Sequence, residues 1–335
     1  MSDIYIVVRK YQAQGNDMEF YPLSFEPIFQ SYIWGGRRLE TALGKSLPAD
    51  GKDYAESWEV VDHDDGQSIV AAGPLQGTSL AQLVREHGQV LLGKHHPQSK
   101  FPLLFKFLDC QRNLSVQVHP NDQQGSLLDP PDLGKTEAWV IMAAEPGSQL
   151  YAGLKSGVDR DQFERELRNG TAESCLHVVE PAVGDCIFIP AGTVHALAEG
   201  LVVAEIQQSS NTTFRLYDWN RVDAEGKSRP LHIEQGLAVT DFERGPVDPQ
   251  EPQVVADGVE RLVSCEKFVL DRRNFQGSTT IGGDDACHIV AVLKSSVQCG
   301  DFEFPAGKTF LLPAACGEVT LVASSDAILL DMYLP

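Results

Sequence analysis

A chain of 335 residues with 42% hydrophobic side chains is long enough for two ordinary domains and apolar enough to bury a core in each. No apolar run approaches the roughly 20 residues of a membrane helix, and the first ten residues lack the apolar core of a secretory leader, so a cytoplasmic, non-membrane protein is expected. A formal charge of −20 argues against a nucleic-acid partner and sets a condition: an anionic substrate needs a local cluster of Lys and Arg working against the global field.

Residues 1–17 read as an N-terminal extension closed by the polar stretch from Gln12 to Asp17, with a short edge strand over 5–8 as the alternative. In the segment 20–36, Tyr32 and Trp34 stand before the flexible pair Gly35 and Gly36, where they either wall a pocket or anchor a core. Residues 55–62 have strand composition. Thr78 or Ser79 can cap a helix carrying Leu80, Leu83, Val84 and Leu91 at helical spacing, with Gly93 as its stop. The run 102–109 reads as a buried strand with Lys106 in its middle, a costly place for an ammonium unless it is paired or put to use.

Further on, 123–134 is an irregular connection with a short helix, and 159–168 is a helix with Phe163 and Leu167 inward and Gly170 as its C-cap. Short strands follow at 175–179, 186–189, 201–206 and 212–217, separated by Gly and Pro turns in the manner of a sandwich or jelly roll. A short helix is expected over 231–239. The three prolines of 246–253 mark a linker between a main domain over 18–245 and a small β domain over 254–335. Seven cysteines (Cys110, Cys175, Cys186, Cys265, Cys287, Cys299, Cys316) form no CxxC pair and read as reduced, mostly buried thiols.

The organising stretch is Leu-Ser-Val-Gln-Val-His-Pro-Asn-Asp at 114–122. On a strand, Ser115, Gln117 and His119 leave the same face. An amide and an imidazole side by side suit a metal site better than an apolar core. Glu137 in Lys-Thr-Glu-Ala-Trp and His195 in Pro-Ala-Gly-Thr-Val-His complete a candidate His/Glu/His set. Singly, each could be a satisfied or surface group; the set points to a metal. The other histidines (His63, His87, His95, His96, His177, His232, His288) are read as structural or surface groups. An echo of the unit Gly184, Pro190, Gly192, His195 recurs as Gly307 and Pro313, with Glu318 where the histidine would stand.

The Gly184-to-His195 spacing resembles the second motif of the cupins. Gln117-Val-His119 stands in place of His-x-His, and the glutamate comes eighteen positions after His119, departures that resemble the type I phosphomannose isomerases. The resemblance takes in Tyr-Ile-Trp-Gly-Gly at 32–36, Ala-Glu-Ser-Trp-Glu at 55–59 and Pro-Leu-Leu-Phe-Lys-Phe-Leu-Asp at 102–109. It continues through 114–122, 134–139 and 190–195 to Gln-Gln-Ser-Ser-Asn-Thr-Thr-Phe-Arg-Leu-Tyr-Asp-Trp at 207–219.

That resemblance implies a mainly β fold with a few helices and a jelly-roll (cupin) catalytic barrel. The C-terminal third matches only as a β domain of the right size, and the internal echo makes it a smaller, degenerate cupin-like domain, with a monomer or weak homo-oligomer expected. It implies one Zn2+ per chain held by His119, Glu137 and His195, with Gln117 as an additional ligand. Arg215 is the implied catalytic arginine, and period-two counting puts Arg215 and Tyr217 on one face with Phe214 and Leu216 on the other. Ser115, Lys106, Lys135, Arg215 and Trp34 are the implied contacts to a phosphosugar. The implied reaction interconverts mannose 6-phosphate and fructose 6-phosphate through a cis-enediol. Glu205 is the first candidate for the base and Lys135 the second. An iron dioxygenase and a hexose-phosphate sensor without chemistry are the alternatives on the same fold.

Overall fold

Short strands rich in β-branched and aromatic residues, bounded by Gly and Pro turns, pair into antiparallel sheets in the computed structural model, which describes residues 10–13, 16–222 and 226–335. One six-stranded sheet runs in the order Cys186–Ile189, Glu137–Ala144, Leu201–Gln208, Leu103–Cys110, Glu56–Val60, Ile28–Gln30. The facing five-stranded sheet runs Leu176–Val179, Leu150–Leu154, His195–Leu197, Val116–Val118, Phe214–Tyr217. From residue 103 to residue 208 the chain hops between the two sheets in the order of a jelly roll.

Helices fill the connections. Ser79 caps Leu80–Leu92 by accepting from the Gln82 amide, and Gly93 ends it at φ +56°, where a Cβ would meet the Asp285 carbonyl oxygen at 2.2 Å. Asp159 caps Arg160–Asn169, whose Phe163 and Leu167 turn inward, and Gly170 closes it in the left-handed conformation. Asp122–Gly125 and Ile233–Val239 are the other short helices expected from the sequence.

Residues from 253 onward build a third sheet, in which Val269–Ile281 pairs along the long strand Val319–Tyr333. The far edge of that long strand meets two different partners, His288–Lys294 and Ser296–Cys299. Leu23–Ser24, from near the start of the chain, adds to the same sheet by pairing with Thr309–Leu312. A single apolar cluster therefore runs from Phe105, Phe107 and Val140 of the barrel to Phe268, Leu270 and Ile289 beyond it. The proline-rich stretch 246–253 is laid along the barrel, its Val247 amide donating to the Ala152 carbonyl at 3.0 Å and its Gln250 amide to that of Cys186 at 2.7 Å.

The expected echo has a structural counterpart. Gly184 and Gly307 each precede a four-residue strand that ends at a proline, and Glu318 is exposed. At the other end of the chain, Lys10–Ala13 and Asn16–Glu19 form a two-stranded ribbon; the alternative edge strand over 5–8 lies outside the described residues.

Candidate metal centre and substrate pocket

The two sheets bring three distant residues to one point inside the barrel. Glu137 opens a strand of the first sheet, His195 opens a strand of the second, and His119 follows Val116–Val118 beside it. His195 pairs in register with Gln117, and the His119 carbonyl accepts from the Gly192 amide at 2.9 Å, so the two histidine-bearing segments are fastened together. The candidate ligand atoms of His119, Glu137 and His195 all lie within 4.8 Å of one another, and all three side chains are buried.

Their outer partners fix how they point. His119 Nδ1 is 2.9 Å from the Thr212 carbonyl, and His195 Nδ1 is 2.9 Å from that of Thr193. A carbonyl only accepts, so each ring carries its proton on Nδ1 and turns a bare Nε2 inward. Burial holds both imidazoles below their usual range, His195 down to about 4. Glu137 is pushed up to about 7 by burial and by the nearby Glu205 charge. Its Oε1 is buried with no hydrogen-bond partner, while Oε2 accepts from the Lys135 ammonium, which also lies 3.1 Å from His119 Nε2. Two unprotonated imidazole nitrogens and a carboxylate with an unpaired oxygen, already bridged by a cationic group, are the donor set a divalent metal takes. The Gln117 amide nitrogen is 3.2 Å from His195 Nε2, and a half-turn of that amide presents its oxygen instead.

A cavity of about 250 Å³ opens beside the cluster, and Trp34, Lys106, Ser115, Gln117, Lys135, Glu205 and Arg215 all line it. The sequence expectation thus converges on one place. Lys106 has the partners its burial demands: Glu56 at 3.3 Å and Glu205 at 3.4 Å. Burial works against its charge, yet the carboxylates of Glu205 and Glu56 prevail and hold its pKa above the ordinary lysine value. Glu205 accepts from the Trp139 indole at 3.1 Å through Oε2, while its Oε1 faces the Lys106 ammonium at 3.4 Å and that of Lys135 at 3.6 Å. Burial acts to raise its pKa, but Lys106 and Lys135 outweigh it, so Glu205 is held below the usual glutamate range and stays ionised.

Arg215 stands opposite Gln117 in register, donates from Nη1 to the Pro230 carbonyl at 3.0 Å, and keeps a buried Nε without a partner. Simple alternation fails one residue later. A bulge between Arg215 and Tyr217 sets Tyr217 opposite Val116, so it joins Leu216 in the apolar cluster beneath the sheet instead of sharing the face of Arg215. The sequence reading also missed Glu56, Asn211, Thr213 and Arg229 in the pocket wall. Arg229 reaches it from a loop, braced by Asp218, which Arg221 grips as well. Glu56 sat in a quoted motif but only cross-strand pairing reveals its lysine. Arg229 had no signal of its own.

A sequence model of the phosphomannose isomerase type I catalytic domain matches residues 23–151. Over 316 residues the chain is 33% identical to the mannose-6-phosphate isomerase ManA of Bacillus subtilis, covering 92% of this chain and 98% of that protein. The chain belongs to the type I phosphomannose isomerase family. The family's Streptococcus mutans mannose-6-phosphate isomerase is 31% identical over 315 residues, 90% of this chain and 98% of that one. The crystal structure of the Bacillus subtilis mannose 6-phosphate isomerase superposes with a TM-score of 0.84 at 28% identity, covering 93% of this chain and 99% of that chain. The fold is the cupin fold of this family, mostly β with few helices.

Proposed function

We propose that this chain interconverts mannose 6-phosphate and fructose 6-phosphate with one zinc ion held by His119, Glu137 and His195, and with Gln117 as an additional ligand. The observation that carries the reading is the coexistence, in one buried pocket, of a His/Glu/His donor set and a cluster of cationic side chains in a chain of charge −20. Lys106, Lys135 and Arg215 supply the local positive field that a phosphosugar requires. Ser115 adds a hydroxyl on the face of Gln117, and Trp34 walls the pocket beside Tyr32, ring centroids 5.8 Å apart. When bound, zinc supplies a Lewis acid that polarises the sugar's carbonyl.

The chain's own groups do the rest. In the opened sugar a proton passes between C1 and C2 through a cis-enediol. Arg215, whose Nε is unpaired, stands where it can meet the negative charge that develops on oxygen. Glu205, kept ionised by Lys106 and Lys135 beside its Oε1, is the base that accepts and returns the proton. Lys135, tied to Glu137 and His119, orients the donor set and is the second candidate for proton transfer.

The test is metal analysis of protein purified without chelator, joined to an isomerase assay before and after stripping and zinc re-addition. Zinc near one per chain with activity lost and regained supports the reading. Iron in its place supports the oxygenase alternative, and mannose 6-phosphate binding without hydrogen exchange at C2 supports a sensor.

A further inference from the structure

Asp122 comes three residues after His119, in the first turn of Asp122–Gly125. Its Oδ1 accepts from the Gly134 amide at 2.8 Å and from the Gln208 side-chain amide at 2.8 Å. Gln208 in turn accepts from the Thr136 amide at 3.1 Å, and the Pro120 carbonyl accepts from the Lys135 amide at 3.0 Å. One carboxylate therefore binds together the segment leaving His119, the segment entering Glu137 and the end of the strand that carries Glu205. The approach is tight enough to require glycine at 134, where a Cβ would lie 2.5 Å from the Asp122 nitrogen.

The other oxygen of Asp122 accepts from Lys267 Nζ at 2.7 Å. Lys267 belongs to the third sheet, in the turn between Val259–Ser264 and Val269–Ile281. That turn is fixed against the barrel. Phe268 is fully buried with its ring edge-on to Phe188 at 6.4 Å, and Arg272 donates to the Gly184 carbonyl at 2.7 Å.

We propose that Lys267 is a positioning residue, through which the C-terminal sheet clamps Asp122 and so sets the spacing of the His119 and Glu137 segments. The proposal rests on the metal-centre reading above only for its metal readout. The Lys267 and Asp122 side chains are 32% and 42% exposed, and an ion pair that open contributes little to global stability. Its effect belongs in local order and in metal retention, at the low end of the roughly 10–100-fold cost typical of partners bonded directly to a ligand, which Lys267 is not.

The full-length chain is compared with Lys267→Ala, Lys267→Arg and Asp122→Asn. Lys267→Ala is expected to speed amide hydrogen exchange over 120–136 and release zinc to a chelator roughly 10-fold faster. Its kcat falls with KM little changed, while Tm stays within about 3 °C of the unsubstituted chain. Lys267→Arg restores all three, and Asp122→Asn reproduces the loss without touching the C-terminal turn. Unchanged exchange over 120–136 in Lys267→Ala overturns the clamp, as does a loss matched by a global drop in Tm or left unrescued by arginine. An unsubstituted chain that retains no divalent metal sinks the metal-centre reading instead, and the exchange comparison still decides the clamp.

Discussion

His119 and His195 each spend one ring nitrogen on a backbone carbonyl, so what remains for chemistry is a pair of bare Nε2 atoms facing one carboxylate. Replacing His195 with Ala is expected to abolish metal binding and activity together, as read by elemental analysis and turnover; full metal occupancy in that variant would remove the residue from the ligand set. Arg215→Ala keeps the metal and lowers kcat by about 10²–10³-fold, the usual loss on deleting one donor to a developing oxyanion. For Glu205→Gln the expected loss is about 10²–10⁴-fold, and a rate within a fewfold of the unsubstituted chain would pass the role of base to Lys135. The sequence exposed the His/Glu/His set because those residues sit in local motifs with fixed spacing. It hid the Glu56–Lys106 pair and Arg229, because the first depends on which strands are neighbours and the second on how a loop folds back.

Helix ends and strand spans were legible wherever a local cue fixed them. Ser79 is one such cue, and Ser79→Ala is expected to lower stability by about 1 kcal/mol in urea unfolding without changing the pocket. The strands at 103–110 and 186–189 were readable as apolar runs between turn residues. What local pattern could not show was the bulge after Arg215. Alternation assumes one residue opposite one residue, and an inserted residue reverses every side chain beyond it. Nor could it show that Leu23–Ser24 would leave the barrel's neighbourhood in sequence to join a sheet built mostly after residue 253, since strand partnership across that span leaves no periodic trace.

One pH-sensitive group lies in the C-terminal sheet, outside the pocket. His288 is held between Asp331 at 2.7 Å and Asp284 at 3.0 Å, with Tyr333 against its ring and Arg273 on the other oxygen of Asp331. Burial opposes the imidazolium, but Asp331 and Asp284 prevail and raise its pKa to about 9 from the free value of 6.5. Because the folded value is the higher one, this contribution to stability is complete below pH 6.5 and is lost as pH rises through about 9. Tm is therefore expected to decline over that window, and His288→Gln to flatten the decline; an unchanged slope in the variant would assign it elsewhere. The placement of Leu23–Ser24 has a consequence for biosynthesis. Tyr21 and Leu23 are synthesised about 280 residues before Phe302 and Leu311, the stacking and strand partners that complete their cover. A polypeptide nicked before residue 309 would leave the Leu23–Ser24 edge without its strand partner, so completion of the third sheet, rather than closure of the barrel, waits on the later segment.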